Sequence, residues 1–149
     1  MSMDKSEAMT ALGTIEGAQA ALARAADCPP SRHAAFGLLM GSIVMAQGLK
    51  PPLSLALLVL SGIGGLLIFQ SDRRRMGMFI NGYRKGATRP LTLLLLAAML
   101  LMGWGEIAAH ENGLSLATRI GIAAIAGVLA AVASVAWQRT FRREMGLDS

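Results

Sequence analysis

The sequence predicts an all-α, polytopic integral membrane protein: four transmembrane helices forming two hairpins in series, with both termini cytoplasmic. Three observations carry this reading. Hydrophobic residues make up 54% of the 149 residues and charged residues only 15%, where soluble domains carry about 25% charged. The charges are segregated, leaving four apolar stretches at 34–49, 53–70, 91–109 and 114–138. Lysine and arginine cluster on one side of those stretches. A soluble chain this small needs a polar coat that this composition cannot supply. A disordered chain, a coiled coil and an ordinary nucleic-acid-binding domain are excluded on the same grounds. A disulfide scaffold is excluded because Cys28 is the only cysteine.

Residues 1–32 form a cytoplasmic N-terminal segment. Met9, Leu12, Ile15, Ala18 and Leu22 fall at roughly helical spacing, with Ser6 as a candidate cap and Cys28-Pro29-Pro30 as a stop. Gly13 and Gly17 weaken that helix. Its narrow apolar stripe rests on the cytoplasmic face or binds a partner.

The transmembrane domain covers 33–138. A helix needs roughly 20 residues to cross a hydrocarbon layer about 30 Å thick. The stretches 91–109 and 114–138 reach that length; 34–49 and 53–70 fall short by themselves. Snorkelling by Arg32 and Lys50 lengthens their effective span. The alternative is a single re-entrant hairpin. All five prolines lie outside the stretches: Pro29 and Pro30 before the first, Pro51 and Pro52 before the second, Pro90 before the third. Proline suits a first helical turn and breaks an interior. His110-Glu111-Asn112-Gly113 has the character of a tight turn. Barrel strands are excluded, because the run Leu93 to Leu101 does not alternate.

Orientation follows from the basic residues. Twelve of them (Lys5, Arg24 and Arg32, six in the central loop 71–90, and Arg139, Arg142 and Arg143 in the tail 139–149) face Lys50 alone on the other side. That asymmetry places the termini and the central loop in the cytoplasm of a bacterial-type inner membrane. The long acidic-containing leader before the first apolar run does not resemble a cleaved signal.

The central loop holds Arg73, Arg74, Arg75, Arg84, Lys85 and Arg89. Ser71 or Asp72 could cap a short helix there, with Met76, Phe79, Ile80 and Tyr83 on one face. Two readings stay open: a loop that only sets topology, or a surface for anionic lipid or an acidic partner. Nucleic acid is not an expected partner.

Glu106 and Arg119 are the only ionisable residues inside the stretches. Each lies six or seven residues from the turn at Asn112-Gly113, on opposite arms, so both sit at similar depth. Charges in a membrane pair, snorkel or serve a pathway. An ion pair across the hairpin is the leading expectation; a rim residue that snorkels, or a coupling carboxylate with His110 as relay, are the others. Gly37 with Gly41, and Gly127 with Ala131, are candidate helix-packing positions, within the chain or between copies. Ser61 to Gly65 offers a further packing row or a local break. No cofactor, metal or catalytic constellation is expected. Met40, Met45, Met99 and Met102 read as packing residues. The function expected is that of a non-enzymatic accessory or scaffold subunit, partnered by the bilayer and by another membrane protein or a second copy. A small oligomeric transporter or channel using Glu106 is the alternative.

Overall fold

Proline and glycine punctuate the helices of the computed structural model, which describes residues 7, 9–15, 17, 27–76 and 87–144. Every regular element among them is helical. An N-terminal helix α1 is described at residues 9–15. It is followed by α2 (Pro30–Gln47), α3 (Leu53–Met76), α4 (Thr88–Glu111) and α5 (Leu116–Glu144). Pro30 occupies the first position of α2, where its missing N–H is no loss. Pro51 and Pro52 separate α2 from α3. At the end of α4 the Asn112 side-chain amide donates to the Ala108 carbonyl at 2.8 Å. Gly113 then takes φ +66°, a left-handed conformation glycine adopts without strain. Ser115 Oγ accepts the Thr118 backbone N–H and so caps α5.

Three of these helices, not four, are long and apolar enough to cross a membrane: Leu53–Arg74, Thr88–Glu111 and Leu116–Arg143. The exception is α2. It is 18 residues long, and Ser31, Arg32 and His33 occupy its first turn while Gln47 ends it. Polar residues at both ends dilute an apolar middle that is short to begin with. A second expectation is also corrected. Ser71 and Asp72 do not start a new helix; α3 runs through them to Met76. The Asp72 carboxylate is held by Arg32 of α2, which keeps this last stretch of α3 against the bundle. Phe79, Ile80, Tyr83, Arg84 and Lys85 lie outside the described residues.

The helices run antiparallel in sequence order. α2 packs against α3, α4 and α5, and α4 also packs against α5. Among the described elements α3 meets α2 alone. The short, polar-ended helix is thus the one that touches all three others, with a face around Leu38 left exposed. Burial explains the inversion. A lipid-facing helix must be apolar all round, whereas a central one meets protein and can carry glycines and polar groups.

The tightest contact is between α2 and α5. A Cβ built on Gly37 would lie 2.5 Å from the Gly127 carbonyl oxygen and 2.9 Å from the Ala131 Cβ. One built on Gly41 would lie 2.7 Å from the Ala123 carbonyl oxygen. The backbones touch over two turns, a close approach that favours Cα–H···O contacts. Nearby, Ala126 and Ala130 are fully buried.

Candidate functional site

Two polar clusters close the α2–α5 seam, one at each end. At the end where α2 terminates, the structure brings Glu106 of α4 and Arg119 of α5 together. Arg119 Nε donates to Glu106 Oε1 at 2.9 Å. Its Nη2 donates to the Gly48 carbonyl oxygen at 2.6 Å, tying the end of α2 into the same site. Glu106 is fully buried and Arg119 is 8% exposed. A Cβ on Gly48 would lie 2.5 Å from Arg119 Nη2 and 2.6 Å from Glu106 Oε1. Only a residue without a side chain lets the pair sit there. Glu106 Oε2 is buried and has no hydrogen-bond partner among the described residues. His110 lies one turn further along α4, half-buried.

At the opposite end, Arg32 grips Asp72 of α3 through Nε and Nη2, the shortest contact being 2.6 Å. Its Nη1 donates to Ser134 Oγ of α5 at 2.9 Å. His33 Nδ1 lies 2.9 Å from the same oxygen, and Nε2 lies 2.6 Å from Gln138 Oε1. A carboxamide oxygen only accepts, so Nε2 donates. With the imidazole neutral, Nδ1 accepts the Ser134 hydroxyl proton while that oxygen accepts from Arg32. Outside this network, Arg142 of α5 reaches Asp27 at 3.4 Å. Trp137 stacks on Phe141 one turn further along α5, with ring centroids 5.4 Å apart.

The two clusters share one spacing. Fifteen residues separate His33 from Gly48 on α2, and fifteen separate Arg119 from Ser134 on α5. At about 1.5 Å per residue, each helix places its polar contacts about 22 Å apart. The equal spacing fixes the register of the antiparallel pair, because a shift of one residue would break both clusters at once.

The remaining candidate positions divide. Gly37, Gly41, Gly127 and Ala131 meet one another inside the chain. Gly62 of α3 faces open space, while Gly64 and Gly65 touch Leu39. Arg73, Arg74 and Arg89 are exposed. Arg75 lies on α3, but its side chain, like Arg84 and Lys85, falls outside what the structure describes. Sequence reasoning missed the network at the Arg32 end. The signal available was the i, i+4 spacing of Ser134 and Gln138, which puts two polar side chains on one face of an otherwise apolar helix, level with the start of α2.

The chemistry of both clusters is cohesive. Each guanidinium is matched by a carboxylate, and donors meet acceptors on neighbouring helices. Among the described residues, no group of three histidine, cysteine or acidic side chains is placed to hold a metal ion. No protein-family model, curated protein or solved structure matches the chain.

Proposed function

We propose that this chain is a non-enzymatic accessory or scaffold subunit of an inner-membrane assembly, and that α3 is the helix that meets its partner. The observation behind this is the packing of α3. Helices α2, α4 and α5 form a mutually packed trio, while α3 rests on α2 alone. Leu55, Val59, Leu60, Ile63 and Leu67 remain exposed on it. Gly62, open on that surface, lets a second helix approach closely.

In this reading all four helices cross the membrane. α2 runs between the same two polar clusters that α5 connects. Its charges reach Asp72, Ser134 and Gln138 rather than lipid. Clusters about 22 Å apart fit just inside the two boundaries of a hydrocarbon layer about 30 Å thick. The excess of lysine and arginine on the Arg32 side puts that end, both termini and the central loop in the cytoplasm. The exposed Arg73, Arg74 and Arg89 then face anionic lipid headgroups or an acidic partner.

Purification in mild detergent tests the proposal directly. A photo-reactive residue at Ile63 should cross-link a stoichiometric membrane partner. A monomer or clean homo-oligomer, with no cross-link at Ile63, would refute it. The unpartnered Glu106 Oε2 favours one second reading, transport through a coupling carboxylate. Proteoliposomes would then show an ion flux abolished by Glu106→Gln, and absence of any flux removes that reading.

A further inference from the structure

We propose that the groove beside the α2–α5 seam binds one anionic phospholipid, with an acyl chain along Leu38 and Ala124 and the phosphate at Arg139 and Arg142. The inference rests on the reading that α2 and α5 cross the membrane, and not on the partner assigned to α3. The groove follows from the packing. α2 meets both α3 and α5, while α3 and α5 do not meet each other among the described residues. The angle between them is left open over α2, and Leu38 stands in it 75% exposed. Leu57 of α3 and Ile120 and Val128 of α5 form the walls of a space of about 500 Å³.

Its dimensions suit a chain of methylenes better than a second helix. The lining runs from Ala34 to Met45 on α2, a length of about 16 Å at about 1.5 Å per residue. That is close to half of a hydrocarbon layer about 30 Å thick. A helix about 10–12 Å across would need roughly three times this volume over the same length. The one hydroxyl in the lining, on Ser42, donates to the Leu38 carbonyl at 2.8 Å. The groove therefore takes an apolar guest.

Charge at one end supplies a site for the headgroup. On α5, Ala124, Val128, Ala131, Val135, Gln138 and Arg142 follow one another at intervals of three and four, so they share one helical face. The face that lines the groove thus leads to Arg142. There a further cavity of about 370 Å³ is lined by Val135, Arg139 and Arg142 together with Asp27. Arg142 reaches Asp27 at 3.4 Å. Arg139 is exposed and forms no ion pair among the described residues. Two arginines against one acid leave this mouth positive. Depth agrees with charge. Arg139 and Arg142 lie five and eight residues beyond Ser134, about 8 and 12 Å along α5. With Ser134 just inside the hydrocarbon boundary, those distances reach the headgroup layer, about 5–7 Å thick on each side. At the other end of the groove the arginine, Arg119, is already committed to Glu106 and the Gly48 carbonyl.

The test is native mass spectrometry of the full-length protein, extracted in mild detergent, delipidated and titrated with phosphatidylglycerol or with phosphatidylcholine of the same acyl composition. One phosphatidylglycerol should bind per chain, at least about fivefold tighter than phosphatidylcholine, the preference that one arginine near anionic lipid provides. Arg139→Gln should remove most of that preference and leave phosphatidylcholine binding unchanged. Ala124→Phe, which fills the groove from an exposed position, should weaken both lipids. Equal affinity for the two lipids, or a preference untouched by Arg139→Gln, would overturn the inference while leaving the membrane-crossing reading intact. So would a lipid-free dimer that Ala124→Phe converts to a monomer, which would give the groove to a second copy. A chain recovered in the aqueous fraction without detergent would overturn the inference and the membrane-crossing reading together.

Discussion

Removing one partner of the Glu106–Arg119 pair should do unequal damage, depending on which partner is lost. Glu106→Leu and Arg119→Met keep roughly the volume and remove the charge. After Glu106→Leu, the guanidinium still donates to the Gly48 carbonyl at 2.6 Å. Breaking a buried pair costs about 3–5 kcal/mol, and this variant belongs at the lower end, about 3 kcal/mol. After Arg119→Met, Glu106 loses its one protein partner while fully buried, and the Gly48 carbonyl loses its donor as well. That places it at the upper end, about 5 kcal/mol. The double variant removes both charges and leaves only the Gly48 carbonyl unpaired, for about 1–3 kcal/mol. It is therefore more stable than Arg119→Met alone. The assay is reversible unfolding by SDS titration in mixed micelles, followed by far-ultraviolet circular dichroism. The reasoning fails if Glu106→Leu is the more damaging single change, or if the double variant loses the sum of the two.

Three further outcomes are expected from the same titration, and a fourth from NMR. Gly37→Ala forces a Cβ against the Gly127 carbonyl oxygen at 2.5 Å and should destabilise by about 1–3 kcal/mol. Gly62→Ala meets open space and should be neutral or stabilising by up to about 1 kcal/mol; equal effects at the two positions would contradict the packing described. Ser134→Ala leaves His33 Nδ1 and Arg32 Nη1 without their shared oxygen and should cost about 1–2 kcal/mol, which a stability equal to the native protein would disprove. Gly48→Ala should displace the ion pair, seen as a change in the Arg119 Nε–H resonance; an unaltered resonance would show that the site has slack its geometry denies.

The parts of the fold legible in the sequence are those governed by local composition. The leucine run of α4 and the alanine-rich α5 announce themselves because lipid demands an unbroken apolar surface. Glu106 and Arg119 could be brought together on paper because one short turn lies midway between them. The centrality of α2 was not legible in the same way. Arg32 reads as a flanking charge, and Asp72 as a loop residue or a helix cap, because their contact spans 40 positions. His33 and Ser134 are 101 positions apart. No periodicity within one helix reveals which other helix it touches. The composition of α2 records only that it is poorly suited to lipid, and the structure supplies the reason: it packs against all three of the others, leaving one face around Leu38 open.

That dependence on later helices has a consequence for the order of assembly. The ribosome makes α2 well before α5, yet α2 relies on α5 for Ser134, Gln138 and its glycine contacts. When α2 is first made, Arg32 and His33 have none of these partners. The earliest helix of the bundle is thus the last to be completed. If α2 enters the membrane as proposed, it does so before its contacts on α5 exist, with only α3 and then α4 to pack against. A chain ending before α5 would leave α2 without its principal packing partner.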